Sequence, residues 1–518
     1  MALHPDDDVV VAKVAIALGA EIHWSGDLRT VSTRERIAPG HKLAVRRVPA
    51  GGPVRKYGQT IGFAARDIEP GDWVHVHNLR IGERDAACQL ATDVPAAPAA
   101  IVGRTFSGYR RADGRAGTRN YLAIVSTVNC SATVAKAIAE RIVRSGLLND
   151  YPHVDGIVAL AHKGGCAIQQ GGEDHRQLNR VLAGFARHSN VGGSLIVGLG
   201  CETAQGSFLA AEHDLVQLDC SNSAGNSAND RCERPPLVMN IQEQGGVAKM
   251  VDRAAGVLRE LLPEVDRARR APVPVSELVL GLQCGGSDGN SGITANPALG
   301  VACDLLVAHG GTAVLAETPE IVGAEHLLTR RAVSAEVARK LLERIAWWQE
   351  HTAKFGVELD NNPSVGNKAG GLSTIYEKSL GAVAKGGGTA LRAVYGYAEA
   401  VAERGLVFMD TPGFDPASVT GLVAGGANLV AFTTGRGSCF GCKPVPSFKI
   451  ATNSAMYARM SDDMDLDAGR ILDGARVEEV GREIFERLIA VAGGAKTKSE
   501  AQGIGDEEFC PWSIGPTL

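Results

Sequence analysis

The chain has 518 residues, 45% hydrophobic and 21% charged, with a formal net charge of −5 at pH 7; this length allows two to four domains, and the lack of a basic run argues against a nucleic-acid partner. The acidic start, MALHPDDD, is unlike a signal peptide, and no stretch approaches the roughly 18 apolar residues of a membrane span, so we expect a cytoplasmic protein with no membrane partner. The chain has eleven cysteines, an odd number, and in a cytoplasmic protein this favours free thiols or metal ligands over disulfide bridges.

Residues 1–85 are predicted to form a small all-β module, because short apolar runs alternate with Gly, Pro and Asp. The Ala/Pro-rich segment 86–102 is predicted to be a linker. Two histidines of the module lie two residues apart in a predicted strand, which places them on one strand face. The predicted catalytic set of the module, able to bind a carboxylate and move a proton, is His41, Lys42, Lys56, Tyr57, His75 and His77. The alternatives are exposed strand polarity and a metal site built on the two strand histidines.

Residues 103–266 alternate predicted strands with predicted helices, which indicates a doubly wound parallel α/β sheet covered on both faces. After one strand, SATVAKAIAERIV places Val134, Ile138 and Ile142 on one face of a helix. A basic segment that carries prolines, 267–276, is predicted to be a second linker.

Three cysteines of this central region, Cys130, Cys166 and Cys201, each come at the end of a short apolar run, 36 and 35 residues apart. That interval is close to one strand–helix repeat, and parallel strands with this period end at the edge of a sheet where open α/β sheets bind ligands. We therefore predict that the three thiols hold an iron or iron–sulfur centre with one coordination position open to substrate. Alternatively, each cysteine is a small buried apolar residue. Cys220, at the end of another predicted strand, is a candidate fourth ligand.

Residues 277–518 are predicted to form a C-terminal α/β domain whose strands are followed by loops rich in Gly, Asn and Ser, a composition that favours ligand binding. CFGC, with Cys439 and Cys442, has thioredoxin-type spacing but follows a glycine loop rather than opening a helix. GGSDG, around Ser287, fits a nucleophile elbow in its letters, yet a Gly/Asn-rich loop follows instead of a helix. Six loop residues are predicted to bind the carboxylate and hydroxyl groups of an acidic polyol, although each alone is compatible with a surface charge: Asn296, Asn367, Lys368, Lys378, Arg436 and Lys449.

Long segments resemble the altronate and galactarate dehydratase family over nearly the whole chain and in the same order. GHKLAVRRVPAGGPVRKYGQTIGFAARDIEPGDWVHVHNL is similar to that family's SAF-type β-clip module, and GYRRADGRAGTRN, HKGGC and GLGCE are similar to its central domain. CGGSDGNSGITANPALG, NPSVGNKAGG, FTTGRG and KIATNS resemble its C-terminal domain. CGGSDG and GAEHLL resemble the altronate branch most, whereas SCFGCKPVPSFK departs from the family pattern and puts the sugar acid in question.

The resemblance implies a hydro-lyase that needs iron and converts a sugar acid to a 2-keto-3-deoxy acid. We expect water to leave a 2,3-dihydroxy carboxylate, with iron on the three cysteines, as Fe2+ or as a 4Fe–4S cluster, and a base from the β module. The expected partners are a small sugar-acid substrate and a second copy in a homodimer. The alternatives are a related lyase acting on galactarate or sulfolactate, a sugar-acid-binding protein without turnover, and an ester or lactone hydrolase using Ser287.

Overall fold

A computed structural model of the chain describes residues 1–24, 30–82, 89–215 and 237–515. The candidate fourth ligand, Cys220, lies outside the described residues. Small antiparallel sheets come first along the chain, and two parallel sheets with helices follow. This order is the mixed α/β architecture that the strand and helix patterns predict.

The N-terminal module is all-β, as its punctuation by Gly, Pro and Asp predicts. Its described strands are β1 (Val9–Val11), β2 (Glu21–Ile22), β3 (Val31–Ser32), β4 (Lys42–Ala44), β5 (Pro53–Lys56), β6 (Gln59–Ala64), β7 (Trp73–Val74) and β8 (Leu79–Arg80). β1, β4 and β7 form one antiparallel sheet, β5, β6 and β8 form another, and β2 pairs with β3.

The prediction that His75 and His77 share a strand face is wrong, because β7 ends at Val74. The side chain of Asn78 forms the turn that ends the strand: its Oδ1 accepts from His75 N at 2.9 Å, and Asn78 N donates to His75 O at 3.0 Å. Asn side chains commonly replace strand pairing with turns in this way. The two histidines therefore lie in a turn.

The central region contains a four-stranded parallel sheet with the order β12–β11–β13–β14. Helices α1 and α4 cover one face of this sheet, and α2 and α3 cover the other. A strand pair, β9 and β10, precedes it. The bounds are β9 (Thr105–Arg110), β10 (Ala116–Gly117), β11 (Tyr121–Ser126), α1 (Asn129–Arg144), β12 (Gly156–Leu160), α2 (Glu173–Ala186), β13 (Val191–Gly198), α3 (Gly206–Glu212), β14 (Leu237–Asn240) and α4 (Val247–Val265).

Both predicted linkers lie against the folded domains. Segment 267–276 contains a strand, β15 (Arg270–Pro274), which pairs antiparallel with β9. Its prolines are compatible with a strand because β15 is at the edge of its sheet. The described part of the first linker, 89–102, has no regular structure, but its backbone bonds to the C-terminal domain, as from Ala91 N to Thr329 O at 2.9 Å.

The C-terminal domain is built on a seven-stranded parallel sheet with the order β18–β19–β17–β16–β20–β21–β22. Its strands are β16 (Val279–Cys284), β17 (Thr312–Leu315), β18 (Leu391–Tyr395), β19 (Gly405–Met409), β20 (Leu429–Thr434), β21 (Ser447–Ala451) and β22 (Leu466–Asp467). Its helices are α5 (Ala295–Ala308), α6 (His326–Thr329), α7 (Ala335–Lys354), α8 (Val365–Ala369), α9 (Ile375–Val383), α10 (Asp415–Ala424), α11 (Ser454–Arg459), α12 (Val477–Ala492) and α13 (Lys498–Ala501).

The C-terminal domain shares a hydrophobic core with each of the other two regions. Val54 and Ile61 of the N-terminal module belong to the same buried cluster as Leu282 of β16. On the other side, α2 packs against α10 so closely that a Cβ at Gly184 would lie 2.4 Å from Ala424 O. Among the described residues, no helix is long and apolar enough to cross a bilayer.

Candidate functional site

Gly40 of the N-terminal module rests on two glycine-rich loops of the C-terminal domain. A Cβ at Gly289 would lie 2.1 Å from Gly40 O, and a Cβ at Gly371 would lie 2.4 Å from the same oxygen. Gly289 N donates to Gly370 O at 2.8 Å and so joins the two loops. We call Gly289, Gly370 and Gly371 the glycine seat. Only residues without a side chain allow the module to approach this closely.

Two lysines of the module share one carboxylate of the C-terminal domain. Lys42 Nζ lies 2.7 Å from Glu377 Oε2 and 2.7 Å from Gly371 O. Lys56 Nζ lies 2.9 Å from Glu377 Oε1. All three charged side chains are 0% exposed. This Lys–Glu–Lys triad carries a net positive charge when all three groups are ionised, a costly arrangement away from water.

The triad separates the proton affinities of its two lysines. Burial lowers the pKa of Lys42 to about 8, since the attraction of Glu377 only partly offsets the loss of water and the repulsion of Lys56. Burial also acts on Lys56, but Glu377 outweighs it and raises the pKa of Lys56 above its usual value. Burial alone would raise the pKa of Glu377; the two ammonium groups instead hold it at about 2. Two groups on one carboxylate with diverging pKa values are a pattern of acid–base sites.

Three imidazole groups of the module lie around Trp73. The ring centroids of His41, His75 and His77 lie 5.5, 4.9 and 5.1 Å from that of Trp73. Trp73 Nε1 donates to His41 Nδ1 at 3.1 Å, so Nε2 of His41 carries the proton and donates to Ala369 O at 3.3 Å. His41 is therefore bonded at both nitrogens.

Burial keeps two of these imidazoles neutral. It lowers the pKa of His41, and it lowers the pKa of His75 to about 3 with help from the charge of Lys42. His75 Nδ1 lies 3.3 Å from Ser373 Oγ in the segment before α9. His77 is exposed. Four of the six predicted catalytic residues, His41, Lys42, Lys56 and His75, thus face the C-terminal domain through buried contacts.

Tyr57 also reaches the C-terminal domain. Its hydroxyl would lie 2.6 Å from a Cβ at Gly292, and the ammonium of Lys56 lies 4.8 Å from its ring centroid. Burial raises the pKa of Tyr57, so the phenol stays protonated at neutral pH. Tyr57 can donate a hydrogen bond but does not serve as a base in this state.

A cleft of about 880 Å³ opens beside the glycine seat, between the module and the C-terminal domain. Arg436, one of the predicted substrate-binding residues, is exposed and lines it. Lys13 of the module lines it from the other side. Arg459 lines it as well, and three cations at a cleft of this size suit an anionic, hydroxylated small molecule.

Asp288 and Asn290 form a polar part of the cleft wall. Asp288 accepts from Thr452 Oγ1 at 2.8 Å and from Asn453 Nδ2 at 3.1 Å, and burial raises the pKa of this carboxyl. The Oδ1 atom of Asn290 is buried, with no hydrogen-bond partner among the described residues. It remains available to accept from a hydroxyl group of a ligand.

Two predicted substrate-binding amides already bond within the protein. Asn296 donates to Gly381 O at 2.9 Å and accepts from Thr433 Oγ1 at 2.7 Å. Asn367 lies in the capping box of α8 and donates to Ser287 O at 2.9 Å. Both residues hold the loops around the glycine seat, and a substrate would have to displace these bonds to reach them.

The three lysines predicted to lie in loops are in regular elements, Lys368 in α8, Lys378 in α9 and Lys449 in β21, and their surroundings differ. Lys368 is half-buried. Lys449 is fully buried, its Nζ has no hydrogen-bond partner within the described ranges, and burial lowers its pKa. Lys378 Nζ donates to Glu320 Oε1 at 2.6 Å and to Asn362 Oδ1 at 2.8 Å.

Lys378 belongs to a buried cluster that sequence reasoning did not find. Cys284, the last residue of β16, places Sγ 3.4 Å from Glu317 Oε2 and 3.3 Å from Glu320 Oε2. Lys385 Nζ lies 2.9 Å from Cys284 Sγ and 2.5 Å from Glu317 Oε2. Both glutamates follow β17, so the strand-end rule applied to the three central cysteines could have indicated them.

Cys284, Glu317 and Glu320 offer ligand atoms within 4.8 Å of one another, a spacing that a metal ion can bridge. Lys378 and Lys385 already contact these donors, so a divalent ion there would face two ammonium groups. Burial raises the pKa of Glu317 to about 8 and raises the pKa of the Cys284 thiol, which leaves both protonated near neutral pH. These donors are already paired with Lys378 and Lys385, so an ion could bind here only by displacing those contacts.

A small cavity of about 10 Å³, room for about one water molecule, separates this cluster from the triad. Tyr57, Glu377 and Asp288 line it on one side, and Cys284 and Lys378 line it on the other. Ser287 also lines it, but no histidine does among the described residues, so the triad of a serine hydrolase is not formed there.

The three cysteines predicted as metal ligands lie at the carboxyl edge of the central sheet. Cys130 is in the first turn of α1, after β11, and Cys166 and Cys201 lie in the loops after β12 and β13. β11 is the strand between the other two, and the three strands are parallel. All three thiols are exposed.

Backbone hydrogen bonds connect the loops that carry these cysteines. Asn129 N donates to Gly164 O at 3.0 Å, and Ala204 N donates to Gly165 O at 3.2 Å. Exposed thiols on adjoining loops have the donor chemistry of an iron–sulfur site. The three sulfurs are not among the described groups whose ligand atoms all lie within 4.8 Å of one another.

A second cleft, of about 620 Å³, opens at this cysteine edge. Asn129, His162 and Lys163 line it together with Phe509 and Trp512 of the C-terminal segment. No described residue lines both this cleft and the one beside the glycine seat. That one substrate meets both the cysteines and the β module stays a prediction.

Models of three protein-family domains match consecutive parts of the chain. The altronate/galactarate dehydratase SAF domain matches residues 1–82, and the second domain of D-galactarate dehydratase/altronate hydrolase matches residues 108–266. The C-terminal domain of D-galactarate/altronate dehydratase matches residues 275–517.

Similar proteins match the chain over nearly their whole length. Altronate dehydratase of Bacillus subtilis is 36% identical over 520 residues, covering 100% of this chain and 99% of the relative. Altronate dehydratase of Escherichia coli is 35% identical, covering 100% and 99%. Galactarate dehydratase (L-threo-forming) of Escherichia coli is 36% identical, covering 98% and 95%. These identities do not separate an altronate-type substrate from a galactarate-type one.

Proposed function

The chain belongs to the altronate and galactarate dehydratase family, and on that basis we propose that it is a hydro-lyase that removes water from a sugar acid to give a 2-keto-3-deoxy acid. The sequence relationship covers the SAF module, the central domain and the C-terminal domain. We therefore propose an activity to which all three domains contribute. The substrate class is an aldonate or aldarate.

One observation supports the placement of the reaction: proton carriers of the SAF module are docked on the C-terminal domain, beside a cleft lined by cationic side chains and by the unpaired Oδ1 of Asn290. Removing a proton next to a carboxylate creates a second negative charge in the transition state. A preorganised positive field stabilises such charge most strongly where water is excluded. The buried triad supplies that field within one residue of the cleft wall at Gly370.

We propose that Lys42 is the base that accepts the proton from C2 of the substrate. The sequence favours the histidines, but burial lowers the pKa of His75 to about 3, and His41 is bonded at both nitrogens. A base works best when its pKa is near the working pH, which the pKa of about 8 for Lys42 satisfies. Lys42 is 0% exposed, so the module lifts to admit substrate and closes to exclude water.

Arg436 binds the substrate carboxylate at the cleft mouth, and the Oδ1 atom of Asn290 accepts from a substrate hydroxyl. An exposed guanidinium presents paired N–H donors that match a carboxylate. Tyr57, protonated and close to Lys56, is placed to donate a proton or hydrogen bond through the small cavity.

Iron fits the cysteine edge by donor type, and we propose that Cys130, Cys166 and Cys201 hold it. Iron bound there supplies Lewis-acid chemistry. The chain contributes three exposed thiols on hydrogen-bonded loops, together with Asn129 and Lys163 in the adjoining cleft.

The test is an anaerobic assay of the iron-loaded full chain on a panel of aldonates and aldarates, with 2-keto-3-deoxy acid as the product measured. At least one substrate is expected to turn over, and Lys42→Met should lower kcat by about 10²- to 10⁴-fold. Lys340→Met, which removes an exposed lysine of α7, is the control. Saturable binding of a sugar acid with no product from any substrate would mean that the protein is a binding protein.

A further inference from the structure

The first turn of α9 is fixed to the SAF module by more than the two lysines. Thr374, the N-cap of α9, accepts from Glu377 N at 3.2 Å and donates to Ile61 O in β6 at 2.5 Å. Ser373 N donates to Glu377 Oε2 at 2.9 Å. Glu377 Oε2 thus accepts two hydrogen bonds and Oε1 accepts one, which leaves this carboxylate in a single orientation.

We propose that Glu377 is a positioning residue for the dehydration: it docks the SAF module onto the C-terminal domain and holds Lys42 as the proton acceptor while Lys56 stays charged. This inference rests on the proposed role of Lys42. Glu377 is not itself a proton carrier, because both of its oxygens are bound to ammonium groups.

The geometry gives the two partners of Lys42 opposite effects on its proton. Glu377 lies 2.7 Å from its ammonium and stabilises the charged form. Lys56, on the other oxygen of the same carboxylate, stabilises the neutral form. Within the part of the chain that the structure describes, the imidazoles of His41 and His75 also face Lys42, and burial keeps both neutral. Changes at Glu377 and at Lys56 should therefore move the titration of Lys42 in opposite directions.

The first measurement is the pH dependence of kcat/KM. In the wild type the rate should rise with pH to a plateau above about pH 8, because the base acts as the free amine. Glu377→Gln removes the group that raises the pKa of Lys42, so the rise should move to lower pH. Lys56→Met removes a group that lowers it, so the rise should move to higher pH. A merely structural role of Glu377 would produce no such opposite shifts.

The second measurement follows docking without any substrate, by hydrogen exchange of β4, β5 and β6 in the full chain. Glu377→Gln should speed exchange in these strands, because two buried ammonium groups lose their counter-charge. Glu377→Gln combined with Lys56→Met restores a single positive charge and should return exchange toward the wild-type rate. Glu336→Gln, in an exposed pair with Lys340, is the matched control.

The two measurements fail independently. If no sugar acid is turned over by the wild type, the proposed function fails while hydrogen exchange still decides the docking role. Unchanged exchange in Glu377→Gln, or pH profiles of the two single variants that move in the same direction, would overturn the assignment of Glu377.

Discussion

The interface between the SAF module and the C-terminal domain differs from the cysteine edge of the central sheet in how its reactive groups are held. At the interface, Lys42, Lys56 and Glu377 are fully buried and bonded to one another. At the cysteine edge, the thiols of Cys130 and Cys166 follow strands and are exposed.

The difference shows two ways to prepare a site. Buried charges are stable only when they have fixed partners. The charged groups of the interface are therefore already paired, and their pKa values already differ from those of exposed groups. Exposed thiols are solvated by water, so they need no protein partner, and binding of a metal can fix their positions. The interface therefore specifies proton chemistry by itself, whereas the cysteine edge specifies only a donor set.

The largest effect on activity should come from the glycine seat. Gly289→Ala places a Cβ 2.1 Å from Gly40 O, which neither backbone can accommodate, so the module should undock. We expect a loss of about 1–3 kcal/mol in the free energy of unfolding from overpacking. The loss of kcat should reach up to about 10⁴-fold because the base leaves with the module.

Gly366→Ala is the control for this variant, since the nearest atom to its Cβ would be 3.9 Å away. Limited proteolysis of the linker and steady-state kinetics measure the two effects. Full activity of Gly289→Ala would show that catalysis does not depend on the docked interface.

The next effect should come from the cysteine edge. Cys166→Ser is expected to abolish iron binding and lower kcat by about 10³-fold, the scale of a few kcal/mol of Lewis-acid stabilisation. Iron content and electronic spectra of anaerobic protein measure the first effect, and Cys439→Ser is the control for iron content. Hydrogen exchange of the SAF module should be unaffected. Full activity without iron would place all the chemistry at the interface.

A smaller effect is expected at the mouth of the interface cleft. Arg436→Met should raise KM for the sugar acid about 10-fold or more with little change in kcat, because a hydrogen bond to a charged group is worth about 1.5–3 kcal/mol. Arg339→Met, on the exposed face of α7, is the control. A fall in kcat at constant KM would instead place Arg436 at the reacting atoms.

The smallest effect is expected for an exposed ion pair at the cysteine edge. Lys136 Nζ lies 2.8 Å from Glu507 Oε1, with side chains 47% and 78% exposed. Glu507→Gln should cost about 0–1 kcal/mol in the free energy of unfolding. Glu377→Gln should cost about 3–5 kcal/mol, because it strands buried charges. Equal costs in denaturant titrations would contradict the contrast between the two regions.

Local sequence patterns were sufficient for the architecture. The β module, the two parallel α/β regions and the strand ends that carry the three cysteines follow from apolar periodicity and turn residues, which act over a few neighbours. The sequence predicts a linker where β15 lies, because prolines are typical of linkers. The partner that makes this segment an edge strand, β9, lies far away in the chain. The sequence also does not predict the turn at His75, because the hydrogen bond from His75 N to Asn78 Oδ1 that ends the strand forms only in the folded module.

The candidate site could be predicted in part. Its residue types were identified from the sequence, and so was the shared edge of Cys130, Cys166 and Cys201. The sequence did not indicate which groups meet, as for the cluster around Cys284, whose members come from three separate segments.

The sequence by itself determined the order of strands and helices, the family and the residue types available for chemistry. Only the tertiary structure decided that Lys42 meets Glu377, 335 residues away, and that the cleft at the cysteine edge shares no described lining residue with the cleft beside the glycine seat. The physical reason is that propensity and periodicity act along the chain, whereas the pKa of a buried group depends on whichever charges the fold places beside it.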